Sequence, residues 1–170
     1  MKIHDDHLYH GAALTQIAEH SQFTAINAFK DGKKISRSSF LINNDIGVYL
    51  KYSSKPTGRF KEYIFTFLKS HLTEIEEIEK RSKKAFVALV CVKDREICLV
   101  SRKELSELIE ERKKEVGTSE ASYTVLVVVP KGKSLRVYMN APGVRKTKLS
   151  EKIVARKAFP DSVFAESDNT

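Results

Sequence analysis

The chain of 170 residues has no long apolar run and few cysteines. No stretch approaches the roughly 18 consecutive apolar residues that a membrane-spanning helix needs, so we expect no membrane partner. The first six residues are polar and acidic, and no apolar segment follows them, which argues against a signal peptide and predicts a cytoplasmic protein. The two cysteines, Cys91 and Cys98, lie in apolar segments on either side of a short turn. They are expected to be buried thiols, with a disulfide or redox pair across a hairpin as the alternative.

Complete catalytic motifs are also missing. No serine lies in a Gly-x-Ser-x-Gly turn, so a hydrolase nucleophile of that type is not indicated. Gly132-Lys133-Ser134 matches the end of a phosphate-binding loop, but Val127 stands where the motif requires its first glycine. The sequence therefore indicates a class of partner and a class of fold more clearly than a reaction.

Positive charge is concentrated between residues 131 and 157. This segment carries nine basic residues and one acid, Glu151, so its net charge of +8 equals the formal charge of the whole chain. By contrast, residues 71–120 hold eleven bases and twelve acids. A cluster of this kind is typical of a surface that binds a phosphate backbone or another polyanion.

The sequence therefore predicts a nucleic-acid-binding protein, with DNA favoured as the partner. The candidate phosphate contacts are eight of the nine basic residues of this segment, and Tyr138 is a candidate to lie against a base or sugar. The predicted nucleic-acid-binding residues are Lys131, Lys133, Arg136, Tyr138, Arg145, Lys146, Lys148, Arg156 and Lys157.

Two other functions remain open. The chain could be a non-catalytic interaction or accessory module whose basic segment binds an acidic protein, including a second copy of itself, because residues 73–82 are acidic. It could also be an enzyme that uses the basic segment to hold a phosphorylated small molecule, although no glycine-rich loop accompanies the charge.

Hydrophobic patterning predicts one α/β domain over residues 1–160, a mixed β-sheet with helices packed against it, and a loosely ordered tail over 161–170. Helices are expected at 8–20, at 73–82 and from Ser101 to Glu115; Thr73 and Ser101 begin capping boxes, and Gly117 ends the last of these helices. Strands are expected at 40–42, 46–53, 63–68, 87–92, 96–100, 123–129 and 135–139. Residues 141–147 are predicted to form a loop and 150–159 a short helix.

A candidate catalytic group follows from the strands at 46–53 and 63–68. If these strands form a hairpin, Lys51 lies opposite Glu62, and Glu19 from the first helix supplies a second acid. The two carboxylates would hold Mg²⁺ as metal ligands, and the lysine would stabilise the attacking water or the developing phosphorane charge. The alternative is a cross-strand ion pair between Lys51 and Glu62 on a solvated sheet face.

The order helix, three strands, helix, strand over residues 8–92 resembles the core of the restriction-endonuclease-like superfamily. This resemblance implies Mg²⁺-dependent cleavage of phosphodiesters in DNA. The family pattern places an Asp at the start of one strand and Glu/Asp-x-Lys on the next. Here Asp45 and Lys51 share one strand, and Tyr49 occupies the position of the second acid.

A second resemblance is local. The segment Ile46-Gly47-Val48-Tyr49-Leu50-Lys51-Tyr52-Ser53, with 65–67 and 88–92, is similar to a group of bacterial proteins of unassigned function. It covers roughly residues 40–100 and implies no activity.

Overall fold

The computed structural model describes residues 1–166, without the side chains of residues 144–146. The helices are α1 (Asp5–Ala18), α2 (Lys69–Lys80), α3 (Arg102–Val116) and α4 (Asp161–Phe164). The strands are β1 (Ile26–Asp31), β2 (Lys34–Ile42), β3 (Ile46–Ser53), β4 (Tyr63–Leu68), β5 (Lys84–Cys91), β6 (Glu96–Ser101), β7 (Ser122–Val128), β8 (Leu135–Ala141) and β9 (Val144–Val154). Within 1–166, none of the helices combines the length and the apolar character needed to cross a membrane.

The strands form two sheets. The first has the order β1-β2-β3-β5-β6, in which β3 and β5 are parallel and the other neighbours antiparallel. The second has the order β4-β7-β8-β9 and is antiparallel throughout. The predicted class, a single α/β domain with a mixed sheet and helices packed against it, is confirmed.

Each face of the five-stranded sheet covers its own core. On one face, Ala13 and Ile17 of α1 pack with Val48 and Leu50 of β3 and with Phe164 of α4. The opposite face packs against α2, α3 and the inner face of the four-stranded sheet. Alternating residues along β3 and β5 therefore point into different cores. Because both faces of these strands are buried, most of their residues are apolar.

The predicted helix ends are partly correct. Ser101 accepts a hydrogen bond from the backbone N–H of Glu104, and Gly117 ends α3 with a φ of 86°, in the left-handed region, so this helix is confirmed. The prediction that Thr73 caps the second helix is wrong. α2 begins at Lys69, and the Thr73 hydroxyl donates to the Lys69 carbonyl inside the helix.

The hairpin predicted from 46–53 and 63–68 is not formed. β3 is paired with β2 on one edge and β5 on the other, so it has no free edge for β4. β4 pairs with β7 instead. Lys51 therefore does not lie opposite Glu62, and the ion pair predicted between them is also wrong.

The end of the chain also differs from the prediction. Residues 144–154 form β9 rather than a loop and a helix, because β8 offers a free edge and Leu149 and Val154 of β9 are buried. Residues 161–164 form α4, in which Val163 and Phe164 are buried, so the predicted loose tail does not begin at 161. Residues 167–170 lie outside the described residues.

The hairpin of β5 and β6 is confirmed, but the cysteines are not directly opposite each other. Cys91 pairs with Glu96, and Cys98 pairs with Leu89. Both thiols are free and buried. Burial raises the pKa of Cys91 to about 12 and that of Cys98 well above its usual range. At neutral pH both are protonated core residues rather than reactive thiolates.

Candidate nucleic-acid interface

The basic segment 131–157 folds back on itself and does not form one continuous patch. β8 and β9 are antiparallel, so the two ends of the segment lie at one end of the four-stranded sheet and its middle lies at the other. The seven residues of β8 separate these positions by about 20 Å. Lys131, Lys133 and Lys157 belong to the first group, and Lys148 belongs to the second.

Several of these bases are engaged within the protein. Lys148 forms an ion pair with Glu151 at 2.8 Å, and its Nζ lies 4.7 Å from the centroid of the Tyr138 ring. Lys152 faces α3 and pairs with Glu107 at 2.5 Å. The charges of Lys148 and Lys152 are therefore partly neutralised within the protein itself.

Tyr138 does not have the role that the sequence predicts. Its side chain is only 2% exposed, and its hydroxyl donates a hydrogen bond to Glu62. Burial, followed by this bond, raises the pKa of Tyr138 above its usual value. A ring covered in this way cannot stack on a base. The side chains of Arg145 and Lys146, also predicted to contact phosphate, lie outside the described residues.

One end of the molecule brings together connections that are far apart in the sequence. The connection after β3 lies beside the turn between β5 and β6, because the N–H of Lys93 donates to the carbonyl of Ser54 at 3.1 Å. The Tyr63 hydroxyl, at the start of β4, donates to Asp94 in the same turn at 2.6 Å and accepts from its N–H at 3.0 Å. These bonds connect the two sheets.

Arg156, which follows β9, brings its own segment and the β7–β8 connection to this end. Its guanidinium donates to the carbonyls of Lys133 and Pro130 in the β7–β8 connection and to Glu96 at the start of β6. The Arg156 and Glu96 side chains are 30% and 25% exposed. Each of the three guanidinium nitrogens thus already donates a hydrogen bond within the protein, which gives Arg156 a structural role in place of the predicted phosphate contact.

We call the resulting surface the basic end. It holds eight basic and three acidic side chains, and six of the bases are exposed. The exposed bases are Lys55, Lys93, Arg95, Lys131, Lys133 and Lys157. Arg136, which is half-buried, and Arg156 complete the set. The acids Glu62, Asp94 and Glu96 each accept an internal hydrogen bond from a tyrosine or arginine.

Lys55, Lys93 and Arg95 were missed by reasoning from the sequence. Lys93 and Arg95 lie in a segment with almost no net charge, and Lys55 lies in a short connection, 54–62, whose three bases and one acid are few beside those of the segment 131–157. The predicted turn around Asp94 was a usable local signal, because it indicates exposed side chains. Its position beside residues 131–133 depends on contacts between the two sheets, which no local pattern indicates.

The predicted catalytic residues are not brought together. Glu19 follows α1, and the segment just after α1 bonds Asn43 in the turn before β3. Lys51 lies near the other end of β3 and points to the face opposite α1, toward Phe67 and His71. Glu19 is thus separated from Lys51 both along the strand and across the sheet.

The third member, Glu62, bonds Tyr138 of the four-stranded sheet. Glu19 and Glu62 therefore lie in different parts of the molecule and do not fit one Mg²⁺ site. No group of three or more His, Cys, Asp or Glu side chains that could hold a metal ion occurs within the described part of the chain. We derive no catalytic step through a metal from these residues.

Lys51 lies in an apolar setting with a histidine as its neighbour. Its Nζ is 3.4 Å from Nδ1 of His71 and 5.3 Å from the centroid of the Phe67 ring. Nδ1 of His71 also accepts the backbone N–H of Leu68 at 3.1 Å. Burial lowers the pKa of Lys51, while burial and then the charge of Lys51 lower the pKa of His71.

The substitution Lys51→Met is expected to raise the pKa of His71, because it removes a positive charge beside the imidazole. The measurement is an NMR titration of the ring protons of His71, one of five histidines. Lys55→Met, which removes an exposed charge four residues later, is the control and should leave His71 unchanged. Equal titration curves for Lys51→Met and the native protein would show that Lys51 does not act on this imidazole.

The sequence matches no protein-family model, and comparisons with curated proteins and with solved structures find no match.

Proposed function

We propose that this protein binds nucleic acid, with DNA as the favoured partner, in the cytoplasm, and that the basic end is the surface that contacts phosphate. The observation that supports this most strongly is the arrangement of charge at that end. Four connections from different parts of the chain contribute exposed bases, whereas all three acids there are held by internal hydrogen bonds.

The composition of the basic end favours contact with the backbone of a nucleic acid rather than reading of its sequence. Five of the six exposed bases are lysines, which act as flexible point charges. Arg95 is the exception and can bind a phosphate with two parallel hydrogen bonds. Contacts of this type fix position and affinity but carry no direct sequence information.

The test is a salt titration of binding to labelled DNA and RNA, in single-stranded and duplex form. If all six exposed bases neutralise phosphates of duplex DNA, the slope of log K against log salt is about −5, and affinity falls about 10³-fold between 50 and 200 mM salt. Affinity that does not change with salt would overturn the proposal.

Mg²⁺-dependent cleavage of DNA stays a separate prediction, based on the resemblance to the restriction-endonuclease-like core. The residues predicted to catalyse it, Glu19, Lys51 and Glu62, are not close together. The structure therefore offers no catalytic site for this reaction among them. The binding reactions, repeated with and without Mg²⁺ and analysed on a gel, test it directly. Absence of cleavage leaves the binding proposal intact.

The alternative partner is an acidic protein surface, which the basic end would also suit. Absence of nucleic-acid binding at moderate salt, together with a mass in solution above that of the monomer, would favour a homodimer or another protein complex instead.

A further inference from the structure

The connection between β3 and β4 holds a short loop with an exposed aromatic ring. Thr57 and Glu62 exchange two backbone hydrogen bonds, of 2.9 and 3.0 Å, which close a turn of four residues. Within it, Phe60 is 48% exposed and has Arg59 and Lys61 as its neighbours in the chain. The exposed ring therefore lies between two positive charges on a loop whose ends are fixed.

Beside this loop is a groove on the outer face of the four-stranded sheet. It is a cavity of about 570 Å³ between the loop and strands β4, β7 and β8, within the usual range for ligand sites. Ile64, which is 47% exposed, contributes apolar surface, while Leu126, paired with it across β4 and β7, is only 5% exposed. Ser122, Thr124 and Asn140 contribute polar groups.

Three of the four charged residues that line the groove, Glu62, Arg112 and Glu120, have partners within the protein, and the fourth, Arg59, is exposed in the loop. Arg112 donates two hydrogen bonds to Glu120, at 2.6 and 3.1 Å, and a third to the carbonyl of Asn140. The bond from Arg112 lowers the pKa of Glu120. The carboxylate of Glu62 accepts the Tyr138 hydroxyl. The groove thus combines one exposed ring, apolar surface, uncharged polar groups and the exposed Arg59, which suits a planar group that carries a phosphate.

The end of the groove that holds Glu62 lies beside the basic end, and its other end, at Ser122 and Asn140, lies toward the opposite end of the four-stranded sheet. Glu62 closes the loop, and the next residue, Tyr63, bonds Asp94 between the exposed Lys93 and Arg95. A chain of phosphates bound at the basic end would therefore pass the loop that carries Phe60.

We infer that the groove binds unpaired bases of a single-stranded nucleic acid, with one base stacked on Phe60. This inference rests on the proposed function and adds a preference for single strands. A ring can stack only on a base whose face is free, and in a duplex both faces are covered by neighbouring base pairs. Base–aromatic stacking next to a positively charged path is the usual basis of single-strand binding, and the serine, threonine and asparagine side chains can bond base edges.

The test uses a short labelled oligonucleotide of mixed sequence, alone and annealed to its complement. Phe60→Leu keeps an apolar side chain but removes the planar ring. It is expected to weaken single-strand binding between about 5- and 150-fold, the usual effect of losing one stacked base, and to leave duplex binding unchanged. Ile35→Ala removes another exposed apolar side chain, 57% exposed, from the five-stranded sheet, and should change neither.

A second variant gives a readout that does not depend on affinity. The chain contains no tryptophan, so Phe60→Trp introduces a single indole at the loop, and it should retain binding. Its fluorescence is expected to be quenched by the single strand and not by the duplex. Binding that is salt-sensitive but unaffected by Phe60→Leu, or reduced equally for both forms, would overturn the inference while leaving the proposed function. No binding of either form would overturn both.

Discussion

The triple substitution of Lys93, Lys131 and Lys157 by glutamine is expected to reduce the salt slope by about 2.7, which lowers nucleic-acid affinity about 500-fold at 0.1 M salt relative to the difference at 1 M. Each lysine comes from a different connection of the basic end, and all three are exposed. When a lysine no longer neutralises a phosphate, the counterion condensed there is not released on binding. The salt slope therefore falls by about 0.9 for each lysine removed.

The matched control replaces three exposed lysines elsewhere, Lys33, Lys103 and Lys114, and changes the net charge by the same amount. If affinity depends on the basic end, this control keeps nearly the native slope. If both triple variants weaken binding equally, the interaction follows net charge alone, and the basic end has no special part in it. Because all six side chains are exposed, both variants should retain stability within about 0.5 kcal/mol per site, which thermal unfolding verifies.

Elements that depend on local pattern were predictable from the sequence. Ser101 and Glu104 three residues later indicate where α3 begins, and Gly117 indicates where it ends, because only short-range backbone hydrogen bonds are involved. The β5–β6 hairpin was found in the same way, from two apolar segments and a polar turn. In these cases the residues that decide the structure are within a few positions of each other.

Pairing between distant strands was not predictable in this way. The sequence suggests that neighbouring strands form hairpins, but β3 takes β5 as its parallel partner after β4 and α2 intervene. β4 is then left to pair with β7, about sixty residues later. The predicted site of Lys51, Glu62 and Glu19 depended on this wrong pairing. The three side chains are therefore not close together in the structure.

The charge pattern was a better guide, but it identified only part of the surface. Lys131, Lys133 and Lys157 were predicted and lie at the basic end. Arg156 holds that end together, and Tyr138 is buried against Glu62. Composition counts a charge without showing whether a carboxylate or a backbone carbonyl already satisfies it, and only tertiary contacts make that distinction.

Phe65→Ala is expected to lower the free energy of unfolding by about 3–5 kcal/mol, the usual cost of removing a buried phenylalanine. Phe65 is 1% exposed and lies opposite Val125 in the core shared by both sheets. Its neighbour on β4, Ile64, points to the outer face, so Ile64→Ala should cost only about 1 kcal/mol. Urea unfolding of the two variants measures the difference directly.

The comparison between Phe65→Ala and Ile64→Ala tests the sheet assignment on which the basic end depends. A domain of this kind is stable by about 5–15 kcal/mol, so a loss of 3–5 kcal/mol is easily measured. Equal costs for the two variants would contradict a β4 with one buried face. β4 also carries Tyr63, whose hydroxyl holds the β5–β6 turn through Asp94. Packing of Phe65 in the core therefore helps to keep Lys93 and Arg95 beside the other bases, which connects the stability of this strand to the proposed binding surface.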